Sequence, residues 1–121
     1  MHTEIQLEQI KNEVSNDIQN ALGSRLHKII LYGSYARGDN NEDSDMDIMV
    51  LADISDSDMS KYRTIINDVA SRIGLEYDTL VTISIKNKQN FYNRLEILPF
   101  YQNVIKDGVE LYGNWKRFIK A

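Results

Sequence analysis

The 121-residue sequence contains no cysteine. Disulfides and thiolate metal sites are excluded at once. Histidine is almost as scarce, and His2 with His27 is too few for a histidine-rich zinc centre. Proline occurs once, at Pro99. There is no internal repeat, low-complexity segment or interdomain linker. No apolar run approaches the ~20 residues that a membrane-spanning helix needs. The opening stretch MHTEIQLEQIKNEV is polar and acidic, unlike the apolar core of a secretory signal. These absences give the expectation of one soluble globular domain spanning residues 1–121, cytoplasmic by default.

An excess of positive charge is also missing. The formal net charge is −4, and residues 1–85 hold 7 basic and 15 acidic side chains. Direct nucleic-acid binding is disfavoured by that balance. Residues 86–121 reverse it, with 7 basic and 3 acidic side chains, Lys116, Arg117 and Lys120 among them. That stretch is either a solvated helical face or a contact for phosphates or an acidic partner.

What the chain does contain is organised around Gly33 to Val50, GSYARGDNNEDSDMDIMV. Apolar runs flank the polar middle: Ile29-Ile30-Leu31-Tyr32 before it and Ile48-Met49-Val50-Leu51 after it. Two buried strands joined by a turn-rich connection is the simplest reading, over Leu26 to Tyr32 and Ser44 to Ala52. Alternation puts Asp45, Asp47 and Met49 on one face of the second strand, and Met46, Ile48 and Val50 on the other. The two carboxylates then lie roughly 6.6 Å apart along the backbone and can converge on one cation. Such a pair is costly on an apolar strand unless something positive sits between them.

The remaining elements follow from periodicity. Ile10, Val14, Ile18 and Leu22 form one stripe of a helix over 3–22, with Thr3 and Gln6 as a capping box and Gly23 as its stop. Ser34 to Arg37 makes one helical turn closed by Gly38. A second amphipathic helix carries Tyr62, Ile66, Val69 and Ile73 and ends at Gly74. Glu76 to Ile85 reads as a third strand. Pro99 starts a helix with Phe100, Val104, Tyr101 and Ile105 inward, and Gly108 closes it. Val109 to Tyr112 is a short final strand, and Trp115, Phe118 and Ile119 fall in a possible terminal turn. Strands alternating with helices predict an α/β sheet with helices packed on it.

Gly33, Ser34, Ala36, Arg37, Gly38, Ser44, Asp45 and Asp47 together match a known pattern in type and spacing. It is Gly-Ser, a turn with Ala-Arg-Gly, then Ser-Asp-x-Asp before an apolar strand. The stretch resembles the signature of the minimal nucleotidyltransferases, small members of the DNA polymerase beta-like superfamily, and the likeness runs from about Leu26 to Tyr112. The resemblance implies an α+β fold, a small mixed β-sheet backed by helices, with its other face open for nucleotide and partner. It also implies metal-dependent transfer of AMP from ATP. Two Mg²⁺ ions are then expected, bridged by Asp45 and Asp47, with a third carboxylate from a neighbouring strand. Asp78 is the candidate, about as far beyond the pair as the family's third acidic position, and Glu76 is its rival on the same strand face. A lone aspartate there would more simply be a turn carboxylate.

The other expected roles concern phosphate. Gly33 lets the backbone approach phosphates, and Ser34 offers a hydroxyl and nearby N–H groups to them. Arg37 pairs either with triphosphate or with Asp39. Ser44 caps or orients Asp45 at the nucleotide site and has no nearby base to make it a nucleophile. Tyr32 and Tyr35 are expected to pack in the core or at the rim.

Single-domain proteins with this motif resemble the antitoxins of two-gene modules whose toxin is a helical HEPN ribonuclease. In that family the enzyme adenylylates a tyrosine of the toxin. A small-molecule nucleotidyltransferase of the aminoglycoside type is the first alternative, although those enzymes usually add a helical acceptor domain for which these residues leave no room. A binding antitoxin without turnover is the second.

Overall fold

The computed structural model describes residues 3–41 and 43–113. The expectations for His2 and for the basic tail beyond Gly113 lie outside the described residues. Helix α1 (Glu4–Leu22) opens with the predicted capping box: Thr3 Oγ1 accepts from the Gln6 N–H at 3.1 Å, and Gln6 Oε1 from the Thr3 N–H at 2.9 Å. Its stripe of Ile10, Val14, Ile18 and Leu22 is buried. Gly23, at φ 55, leads through a short 3₁₀ turn into β1 (Leu26–Tyr32). There follow α2 (Ser34–Arg37), β2 (Met46–Ala52), α3 (Asp56–Tyr77), β3 (Val81–Asn87), α4 (Lys88–Arg94), α5 (Pro99–Asp107) and β4 (Val109–Gly113).

The strands form one mixed sheet in the order β3-β2-β1-β4. Strands β1 and β2 are antiparallel, as are β1 and β4, whereas β2 and β3 run parallel and are joined through α3. A parallel pair needs such a crossover. Strand β2 reads as a nearly continuous apolar run because both of its faces are covered. On the back face, Met46, Ile48 and Val50 pack with Ile29 and Leu31 of β1 against α1 and α3. On the front face, Met49 and Leu51 pack with Ile30 against Phe91 of α4 and Val104 of α5.

That front layer corrects the expectation of an open face. Asn87 caps α4, its side chain accepting from the Asn90 N–H at 3.0 Å, and the helix drives Phe91 fully into the sheet. Helices α4 and α5 therefore cover the Met49–Leu51 end of β2. Asp47, two residues earlier, is left half-buried and Asp45 exposed. Helix α5 also turns differently from expectation: Val104 is buried, whereas Phe100 is 51% and Ile105 42% exposed. Nine residues resting on the sheet through a narrow ridge leave those neighbours outside it.

A second correction concerns Gly74, which does not end α3. The helix runs on to Tyr77, and β3 starts at Val81 rather than Glu76. The chain folds back directly over Gly74: the Thr79 N–H donates to the Gly74 carbonyl at 3.0 Å, and a Cβ on Gly74 would lie 2.8 Å from the Thr79 oxygen. Glycine is required there by close approach, and the reversal falls on Asp78. No described helix is long and apolar enough to cross a membrane.

Candidate active site

Strand β1 delivers its last residue, Tyr32, directly opposite Asp47 of β2. Gly33 then turns the chain at φ 76 and ψ −156, a conformation open to glycine and strained for other residues. Space demands glycine as well. A Cβ on Gly33 would lie 2.7 Å from Asp47 Oδ2. The Gly-Ser turn and the strand carboxylate are thus parts of one site.

The turn continues into α2. The Gly33 carbonyl accepts from the Ala36 and Arg37 N–H groups, both at 3.1 Å, and the Ser34 carbonyl from Gly38 at 2.9 Å and Asp39 at 3.1 Å. Gly38, left-handed at φ 82, ends the helix. Ser34 occupies the first helical position, where N–H groups have no partner within the helix. Arg37 Nε pairs with Asp39 Oδ2 at 3.2 Å, both side chains largely in solvent. Of the two roles expected for Ser44, capping Asp45 is not the one its contacts serve: its hydroxyl accepts from the Asn41 N–H at 2.9 Å, and its own N–H donates to the Asn41 carbonyl at 3.1 Å. It ties the loop shut immediately ahead of Asp45.

Burial, and after it the nearby charge of Asp45, raises the pKa of Asp47 above the usual carboxylate value. Tyr32 forms a wall beside it. The phenol's pKa is raised by burial and then by Asp47, with nearby Ser84 acting the other way. Ser84 lies on β3, paired with Met49. The ring therefore reaches from β1 over β2 toward β3, on the face that carries Asp47. Phe100 meets it edge to face, ring centroids 5.6 Å apart. The sequence marked Tyr32 only as core or rim, and it gave no sign of Ser84 or Phe100.

Asp78 is not brought to the pair. Among the described residues no group of three or more histidine, cysteine, aspartate or glutamate side chains gathers to hold a metal ion. Asp78 caps α3 at φ 51 and ψ 50, the single positive-φ residue other than glycine among those described. It lies off the strand, in a groove of about 490 Å³ with Leu75, Thr79 and Leu80. The strand positions beside the pair hold other residues. Thr82 is in register with Asp47, and the Met46 N–H donates to the Leu80 carbonyl at 2.9 Å. Glu76 is on α3, beside Glu13 of α1. Both placements follow from α3 continuing through Gly74.

The residues present fit a divalent cation. Two carboxylates share one strand end, one with its pKa raised by burial and by the other, and glycine at position 33 spares Asp47 Oδ2 the 2.7 Å clash a Cβ would make. Mg²⁺ takes one or two protein carboxylates and completes its shell with phosphate and water.

The site's likeness to known proteins is consistent with this chemistry. Residues 7–109 match the model of the nucleotidyltransferase domain. A protein of Methanocaldococcus jannaschii, provisionally named a protein adenylyltransferase, is 32% identical over 100 residues, 83% of this chain and 92% of its own. A second of the same provisional name and organism is 39% identical over 80 residues, 66% of this chain and 79% of its own. Among solved structures, a toxin–antitoxin with AMP-PNP aligns with TM-score 0.60 at 22% identity, over 88% of this chain and 76% of that one. A tri-AMPylated HEPN toxin of Shewanella oneidensis in complex with its MNT antitoxin aligns with TM-score 0.55 at 19% identity, over 93% and 76%. These likenesses concern the fold. Carried by the family match and the two archaeal relatives, the chain belongs to the nucleotidyltransferase domain family.

Proposed function

We propose that this nucleotidyltransferase moves AMP from ATP to a hydroxyl of a partner protein, a tyrosine of a HEPN-type ribonuclease toxin, and so acts as an antitoxin. The observation that carries the chemistry is the close approach of Asp47 to Gly33, where a Cβ would lie 2.7 Å from Asp47 Oδ2. It supports a reading in which one nucleotide spans the Gly33–Ser34 turn and the strand carboxylates. The protein acceptor is supported by the provisional names of the two relatives and by the toxin–antitoxin complexes sharing the fold.

In the reaction the acceptor oxygen bonds the α-phosphorus and the bond to the β-phosphate oxygen breaks. Pyrophosphate leaves, and the hydroxyl proton passes to a carboxylate of the site. Catalysis of this kind is mostly positioning and charge neutralisation. Asp45 and Asp47 would hold Mg²⁺, which when bound neutralises phosphate charge. Ser34 and the N–H groups opening α2 would receive the β- and γ-phosphates. Arg37 exchanges Asp39 for a phosphate at little cost, because an exposed ion pair contributes little. Asp78 is not needed to start this assembly. It stands just before β3, at the same end of the parallel pair as Asp45 and Asp47, and would join only by a shift of its connection.

The test is incubation of the chain with α-labelled ATP, Mg²⁺ and a co-encoded HEPN protein. Label is expected on a toxin tyrosine, with loss of its ribonuclease activity. Toxin inhibition without label would replace the enzyme reading with a binding antitoxin.

A further inference from the structure

Phe100 stands out on the front of the sheet. It is an aromatic side chain 51% exposed, on a helix whose neighbouring aromatic, Tyr101, packs inward against Phe91 at 4.5 Å between centroids. Its one face-to-edge support toward the site is Tyr32, 5.6 Å away, and Tyr32 is the strand partner of Asp47. Phe100 thus stands at the lip of the wall that borders the carboxylates.

In-line transfer fixes the directions around the α-phosphorus. On the transfer reading the pyrophosphate would lie at Gly33–Ser34, beyond the end of β1, and the acceptor would enter opposite to it, from the side of β3. Asp45 and Asp47 would face the non-bridging oxygens from the sheet, so the ribose, still bonded to the α-phosphorus, would extend over the front face. In one direction along β2 the strand ends in the polar loop 38–45. In the other stands the wall of Tyr32 and Phe100.

From this placement we infer that Phe100, backed by Tyr32, is the surface on which the nucleobase of the bound nucleotide stacks. The inference rests on the nucleotidyl-transfer reading and adds the base subsite to it. A purine offers a flat π-face, and an exposed phenyl ring can cover one side of it without ordering a flexible chain. Such stacking tolerates any base, so discrimination between ATP and GTP by this ring is small.

Two substitutions test it. Phe100→Leu keeps an apolar side chain on α5 but removes the aromatic face, and Phe100→Trp keeps the face. Affinities for MgATP and for Mg-tripolyphosphate, which has no base, are measured without an acceptor. Phe100→Leu is expected to weaken MgATP by about 10-fold or more, the range found for base–aromatic stacking, while tripolyphosphate affinity holds. Phe100→Trp is expected to retain MgATP affinity and to lose indole fluorescence on adding MgATP but not tripolyphosphate, after subtraction of the native Trp115 signal. Unchanged MgATP affinity in Phe100→Leu overturns the inference and leaves the transfer reading intact. Equal weakening of both ligands also overturns it, because the ring would then only support the fold. A wild-type chain that binds neither ligand overturns both readings.

Discussion

Two groups of carboxylates, one on each side of the sheet, solve the same problem differently. Behind it, Glu13, Asp17 and Glu76 crowd together between α1 and α3. Arg72 reaches Asp17 at 2.9 Å, and Glu76 lies close enough to act on Glu13. The pKa of Glu13 is raised, by burial first and Glu76 next. In front, Asp45 and Asp47 have no such internal remedy. Asp47 is pushed up by burial and by Asp45, no lowering partner acts on it, and glycine at position 33 keeps its oxygen clear. Acidic crowding is a structural detail where the protein supplies the cation and the proton. Where it supplies neither, the charge is left open, and on the proposed function a bound cation would balance it.

Removing a front carboxylate should have the largest effect. We predict that Asp45→Asn or Asp47→Asn drops AMP transfer to background while the circular dichroism spectrum is kept. In metal-free buffer the melting midpoint should hold or rise, since repulsion is relieved. Full transfer by both variants would remove the front pair from the chemistry. Next in size is Gly33→Ala. The added methyl would press on Asp47 Oδ2, and alanine must also adopt φ 76, at a cost of about 1–3 kcal/mol. Both a lower midpoint and weaker MgATP binding are expected. A variant with native stability and affinity would show that the turn and Asp47 are not in contact.

Asp78 sharpens the contrast, because it belongs to neither group. We predict that Asp78→Asn keeps MgATP affinity within a few-fold and loses less transfer than either strand variant. Asp78→Gly should raise the melting midpoint, since glycine fits the left-handed cap at φ 51 more readily. Loss of transfer as deep as in Asp47→Asn would mean that the α3–β3 connection moves its carboxylate to the pair when nucleotide binds.

These contrasts also show what was legible in the sequence. The capping box at Thr3, the stripe of α1, the one-turn α2 and the alternation of β2 are local patterns, and all were readable. So was the grouping of Gly33 with Asp47, because one short connection carries both. Asp78 and Glu76 were misplaced on a strand for one reason. A glycine reads as a helix stop, but Gly74 was selected by the Thr79 carbonyl folding over it, a contact made by residues not yet in place along the chain. Helix α5 was read from Pro99 and Gly108, but α4 was hidden similarly. Polar residues at 88–90 and 93–94 surround the one anchor, Phe91, and its burial depends on β1 and β2. Tyr32 and Ser84 come near each other from positions 52 residues apart, and no spacing rule reports that.

The smallest predicted effect tests the back group and gives the comparison its sign. The folded pKa of Glu13 lies above its ordinary 4.5, so the folded state holds a proton that the unfolded state releases first. Below that ordinary value both states are protonated and Glu13 carries no penalty. As pH rises through it and then through the raised value, the folded state must surrender the proton, and stability falls. Glu13→Gln replaces the carboxyl with a neutral amide, which carries no ionisation penalty at any pH. We predict that the variant melts a few degrees above wild type at pH 7 and that the difference disappears near pH 4. AMP transfer should be unchanged, because the sheet separates Glu13 from Asp47. A midpoint below wild type at pH 7 would mean that ionised Glu13 is already satisfied by Arg72. The back group would then be an ordinary ion-pair network, and the contrast with the front pair would rest on Asp47 alone.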